Sequence, residues 1–242
     1  MNLQEVLNFR RSVRKYDPEK ELDWEKVRHC IELATLAPNS SNMHLWEVYH
    51  VTDQETLSKI AVACLNQSAA KTAHQIVVFV IRQDLYKKRA KQALEFEKGN
   101  VRRNSPLEKQ EKRIKEWEVY YGKIMLLLYV RFFGIIGFAR KTFALIVGLF
   151  RPMMRQLSEN DYRVVVHKSC GLAAQTFMIA MANERYDTCP MEGFDSKRMK
   201  KILKLPYGTE INMVISCGIR KGNEGIWGER YRPPFDEFYH KI

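Results

Sequence analysis

The 242-residue chain is 45% hydrophobic and 28% charged, ordinary values for a globular protein with room for one large domain. Its formal net charge of +12 points to an anionic partner, such as a phosphate-bearing cofactor, a nucleic acid or an anionic membrane surface, or simply to a soluble basic protein. Five cysteines without a CxxC pair argue against a disulfide framework or a zinc ribbon and suggest a reducing, cytoplasmic compartment.

In chain order, the opening residues MNLQEVLNFRRSVRKYD lack an apolar h-region, so no secretory signal is expected, and residues 2–10 read as a short helix. Asp23 is placed to cap a helix over WEKVRHCIELATLA, with Val27, Ile31 and Ala34 on one face. APNSSNMH is a polar loop, and WEVYHV alternates like a half-buried strand. Asp53 caps a helix over QETLSKIAVACL, and QIVVFVI reads as a central strand. Residues 84–98 form a basic helix, and Pro106 suits the first turn of the next one. An apolar stretch over 124–150 follows, then a long buried helix over 159–184, a short basic helix in DSKRMKKILKL, capped by Asp195 or Ser196, and a third strand in INMVISCGI. The last twenty residues are an aromatic, Arg- and Pro-rich tail. Helices and strands mix without βαβ alternation, which favours an α+β fold.

The chain has no GxGxxG, P-loop, HExxH or GxSxG motif, and its six histidines show no ligand spacing, so no metal is expected. Basic residues are spread over several helices without a recognition motif, so nucleic acid is not an expected partner. Four short segments carry chemistry. RRSVR places Arg10, Arg11, Ser12 and Arg14 within five residues, and guanidinium forks bind phosphate oxygens in pairs. APNSSN offers Pro38, Asn39, Ser40 and Asn42 on a loop of exposed amides. PMEG supplies Pro190, Met191, Glu192 and Gly193, one carboxylate between a rigid and a permissive residue. Arg230 and Arg232, two apart, point the same way in an extended tail. Each segment alone also describes an ordinary turn, loop or tail.

Together and in this order the four segments resemble the nitroreductase family of FMN-dependent oxidoreductases, over roughly residues 1–80 and 160–240. The resemblance implies an α+β sandwich with a central, mostly antiparallel sheet flanked by helices, and a homodimer with FMN at the subunit interface. Arg10, Arg11, Ser12 and Arg14 then match the N-terminal phosphate and ribityl contacts, and Arg230 and Arg232 the C-terminal phosphate contacts. Pro38, Asn39 and Ser40 match the loop that reaches the flavin held by the partner subunit, with Asn42 at the family's usual Asn. Asn66 matches the Asn near the pyrimidine side, and Pro190, Met191, Glu192 and Gly193 the segment along the ring near N5. His44–Leu45 stands where Gln–Pro is frequent, and Ala69 where a Lys is frequent; the donor, NADH or NADPH, stays open. By the same resemblance, hydride passes from nicotinamide to flavin and on to a nitroaromatic or quinone at one shared site, with no catalytic side chain required. Dehalogenation, flavin reduction, or a flavin-binding or membrane-docking module with little turnover are the competing functions. Five guanidiniums exceed what one phosphate dianion needs, so some are expected to meet carboxylates.

The chain reads as a single domain, 1–242, with a helical apolar insertion over 105–158. Arg131, Arg140 and Lys141 divide residues 124–150 into runs of 7, 8 and 9, too short to span a bilayer. Over 131–150, apolar residues contribute roughly −3 to −7 kcal/mol to insertion and the two central charges about +5 to +7. Arg131 and Arg140 lie about 180° apart on a helical wheel, which favours two helices with a bend near GFARK. The insertion's apolar surface has three readings: core or dimer interface, a lid over the substrate, and a peripheral membrane contact through 131–150.

Overall fold

A computed structural model describes all 242 residues. Its elements are α1 (Leu3–Phe9), α2 (Trp24–Ala34), β1 (Trp46–Val51), α3 (Gln54–Ala63), α4 (Ser68–Lys71), β2 (Gln75–Ile81), α5 (Tyr86–Asn104), α6 (Leu107–Val119), α7 (Met125–Tyr129), α8 (Ile135–Val147), α9 (Glu159–Asn183), β3 (Asp187–Met191), α10 (Ser196–Ile202) and β4 (Glu210–Gly218). Every residue of β2 is buried, as a continuous apolar run in a strand covered on both faces requires. Alternation sends Val77, Phe79 and Ile81 into one core and Ile76, Val78 and Val80 into the other. β1 and β4 flank β2 and β3 lies beyond β4, giving the order β1-β2-β4-β3 with every pair antiparallel. The α+β reading therefore holds.

Helices α2 and α9 cover the first core, and α3, α4 and α10 the second. Side-chain caps start four of these five: Asp23, Asp53 and Asp195 accept backbone N–H bonds at α2, α3 and α10, and Ser158 with Asp161 forms a capping box at α9. Phe79 stands between Trp46 and Phe177, with ring centroids 6.1 and 5.8 Å away. α9 is the one helix long and apolar enough to cross a membrane, yet half of that apolar window is buried in the protein, among residues such as Ala174, Phe177 and Met181.

Three expectations need correction. The sheet has a fourth strand, β3, because Pro190 can sit in an edge strand whose outer side needs no donor. The basic helix runs on to Asn104, stopping before Ser105–Pro106. The bend in the apolar stretch lies at residues 130–134, not at GFARK, which is inside α8. Gly134 makes the turn with a left-handed φ of 82°. Gly137 instead serves a close approach, since a Cβ there would fall 2.6 Å from Glu159 N.

Glu210, at the start of β4, ties the insertion to the sheet. It accepts from Arg163, from His167 Nε2 at 3.3 Å and from Arg131 Nη1 at 3.4 Å. Asn212 donates to His167 Nδ1 at 3.1 Å, which leaves the Nε2–H for Glu210. The His167 bond, then Arg163 and Arg131, hold the carboxyl at about 2 against burial.

Phe79→Ala should lose about 3–5 kcal/mol in urea unfolding. Because the folded Glu210 carboxyl is depressed, its stabilisation is present above the unfolded value of about 4.3 and is lost as pH falls towards about 2. The stability gap between the native protein and Glu210→Gln should therefore shrink across that window, as followed by thermal melting at stepped pH.

Candidate functional site

The residues after α1 leave the helix extended and run along the edge strand β3. Ser12 forms a parallel bridge with Thr188, and Val13 N–H donates to Thr188 O at 3.1 Å. Arg14 N–H donates to Gly225 O at 2.8 Å, so this strap lies between β3 and the C-terminal tail. A buried ion pair fixes the crossing. Arg220 donates to Asp187 from Nε at 2.7 Å, from Nη2 and from its backbone N–H at 2.8 Å. It also donates to Phe9 O at 2.9 Å and lies 4.5 Å over the Phe9 ring. The tail returns across the strap: Arg230 donates to the carbonyls of Leu7, Asn8 and Arg10, and Arg11 to Gly228 O at 2.8 Å.

This path gathers the guanidiniums predicted from RRSVR and RYR. None of Arg10, Arg11, Arg14, Arg230 and Arg232 forms an ion pair, although the chain has fifteen such pairs elsewhere. The expected carboxylate partners are therefore absent; main-chain carbonyls hold Arg11 and Arg230 instead. Burial, then Arg232 and Arg11, lower the proton affinity of Arg10. Burial, then Arg10, Arg232 and Arg11, do the same to Arg230. Such mutual repulsion with no internal anion is the electrostatic complement of a phosphate.

Beyond the C-terminal end of β3, a tight turn carries Leu65 and Asn66 at left-handed φ of 57° each. Gln67 Nε2 donates to Gly193 O at 2.6 Å, and Asp195 N–H to Ala63 O at 2.8 Å. Asn66 and the 190–193 segment thus share one wall. Glu192 and Gly193 are exposed, whereas Met191 is 3% exposed and belongs to the second core. The sequence reading missed Gln67, Thr188, Asp187 and Arg220. Gln67 adjoins Asn66 and could have been found there; the other three act through partners distant in sequence.

The 38–44 loop lies elsewhere. Ser40 N–H donates to Ser169 Oγ on α9 at 3.1 Å, Ser41 Oγ meets the Tyr120 hydroxyl at 2.8 Å, and Tyr121 donates to Ser41 O at 3.0 Å. Asn39 Oδ1 accepts from His44 N–H at 2.9 Å, and Asn42 Oδ1 lies 2.7 Å from His44 Nε2. Burial and then Arg89 lower the His44 proton affinity. Ser41, Asn42 and His44 all have positive φ, between 43° and 53°, strain that surrounding contacts must hold. No hydrogen bond joins this loop to the guanidiniums. A cleft of about 900 Å³ also lies here, between the loop, α5 and α6, lined by Asn42, Trp117, Tyr120 and Tyr121 among others.

Over residues 7–219 the sequence matches the Nitroreductase family, and the chain belongs to that family. MhqN of Bacillus subtilis, which bears the name of an NAD(P)H nitroreductase, is 23% identical over 96% of this chain and 95% of its own. The nitroreductase ydfN of the same organism superposes with a TM-score of 0.72 at 21% identity, covering 99% of this chain and 98% of that one. A nitroreductase from Exiguobacterium sibiricum, solved in complex with FMN, gives a TM-score of 0.71 at 18% identity over 100% and 98% of the two chains.

Inorganic phosphate should stabilise protein stripped of bound small molecules. At a hundredfold excess over Kd the gain is about 2.7 kcal/mol, and each kcal/mol raises Tm by about 2–4 °C at this chain length. Scanning calorimetry should show the rise in the native protein and not in Arg10→Ala/Arg232→Ala.

Proposed function

We propose that the chain is an FMN-dependent oxidoreductase that takes hydride from NADH or NADPH and passes it to an electron-poor acceptor, a nitroaromatic or a quinone, in two half-reactions at one shared site. The observation that carries this reading is the cluster of Arg10, Arg11, Arg230 and Arg232 with no carboxylate partner at the crossing of strap, β3 and tail, with Arg14 further along the same strap. The family, the FMN complex of the Exiguobacterium sibiricum neighbour and the name borne by MhqN support it. The residues present fit the group: cations without carboxylate partners for the phosphate, and a tight turn and edge strand for the ring system.

When bound, FMN supplies a hydride acceptor at N5 and returns the reducing equivalents to the second substrate. The chain binds and orients. Arg10, Arg11, Arg14 and Arg232 hold the phosphate, with Arg230 fixing the strap through its carbonyls. Ser12, exposed beside them, offers a hydroxyl to the ribityl chain. Asn66, braced through its neighbour Gln67 against Gly193, would meet the pyrimidine edge. Pro190 to Gly193 would line the ring, and the exposed Glu192 carboxylate is available to order water or meet the nicotinamide. Pro38, Asn39, Ser40 and Asn42 sit on a loop separate from this cluster, so we assign them to the flavin of the second copy in a homodimer. No side chain is assigned proton transfer.

Purified protein should be yellow, and Arg10→Ala/Arg232→Ala should lose FMN. Initial rates at several quinone concentrations should give parallel double-reciprocal lines against the nicotinamide. Colourless protein that takes up no FMN contradicts the cofactor assignment; intersecting lines contradict the shared-site mechanism.

A further inference from the structure

Helix α8 is built inside out. Its inward strip is Gly137, Arg140 and Ala144, all buried, at the i, i+3, i+7 spacing of one helix face. Its outward residues include Ile135, Phe138, Phe143 and Ile146, each more than half exposed, and Phe133 at 93% and Phe150 at 84% extend the apolar surface beyond both ends. A helix packed on a globular core shows the reverse pattern. Arg140 explains the inversion. It donates to the carbonyls of Leu127, at 2.7 Å, and Leu128, near the end of α7, and sits 5.5 Å over the Tyr162 ring. The charge that would hydrate the helix is thus committed to the protein. Contiguous apolar patches of this kind mark an interaction site.

Charge identifies the occupant. From Val119 to Ser158 there is no Asp or Glu, while Lys123, Arg131, Arg140, Lys141, Arg151 and Arg155 are basic. Of these six, only Arg131 meets a carboxylate, Glu210 at 3.4 Å. A second copy packing its own α8 on this one across a two-fold axis would set like charges against each other. An anionic bilayer suits both features, because aromatic side chains enter the acyl boundary while Lys and Arg reach the headgroup phosphates. The 13 residues of α8 span about 20 Å, short of the roughly 30 Å needed to cross, so the helix must lie in the surface plane. We propose that residues 131–150 dock the protein on an anionic lipid bilayer, with α8 parallel to the surface. This proposal does not depend on the cofactor or the reaction.

The test is co-sedimentation of the full-length protein with vesicles of phosphatidylcholine alone and of phosphatidylcholine mixed with phosphatidylglycerol. Partitioning should be at least about tenfold stronger onto the anionic vesicles and should weaken as salt is raised. Phe133→Ser/Phe138→Ser/Phe150→Ser should lose at least about tenfold of that binding while its melting curve and elution volume stay unchanged. Three results would overturn the proposal: native protein left in the supernatant with both vesicle types, equal binding to neutral and anionic vesicles, or binding undiminished in the triple variant. If native protein ignores lipid and the triple variant elutes as a smaller species, the face belongs to a second copy of the chain.

Discussion

Asp187 and Arg220 hold three parts of the chain at one point. Asp187, 2% exposed at the start of β3, takes its hydrogen bonds from Arg220 just beyond β4, and Arg220 also grips Phe9 at the end of α1. Removing either partner would leave an uncompensated buried charge, a loss of about 3–5 kcal/mol. From this clamp the strap is laid along β3, and the tail is laid over the strap through Arg230. The arginines are consequently brought together by main-chain geometry and not by carboxylates. Their repulsion is built into the fold, and a bound phosphate is what would relieve it.

The frame behind the clamp rests on β2, whose alternating side chains serve two cores at once. This was legible in the sequence, since QIVVFVI has no polar side between its ends. The caps at Asp23 and Asp53 were legible for the same reason: they are local chemistry, decided within three residues. The guanidiniums of RRSVR and RYR were legible as candidates for a phosphate because their fork geometry suits one, although each segment alone also reads as an ordinary turn or tail. β3 was hidden because Pro190 reads as a turn unless the strand is known to be an edge. The Asp187–Arg220 clamp was hidden because its partners are 33 positions apart and neither is conspicuous in its own neighbourhood. Only the resemblance, and no local pattern, set residues 38–44 apart from the arginines, because distance between two loops is not written in the spacing of either.

The apolar insertion shows how one residue can mislead a sum over a sequence. Arg140 weighs against contact with lipid when counted as a charge on a hydrophobic helix. In the fold it faces inward and covers carbonyls beside α7. What remains outside is aliphatic and aromatic surface fringed with basic residues. Glu210 holds the base of this unit to the sheet through Arg131, and Glu159 accepts from Phe132 N–H at 3.0 Å at the bend. The insertion is thus fastened at its base, with its apolar face turned outward.

The central claim is that unpaired guanidiniums, not the ring pocket, anchor the cofactor. Titration of flavin-free protein with FMN and with riboflavin, which lacks only the phosphate, tests it most directly. The account predicts that FMN binds at least about a hundredfold more tightly, a difference of about 2.7 kcal/mol, and that the ratio collapses in Arg10→Ala/Arg232→Ala. Equal affinity for the two flavins in the native protein would contradict it.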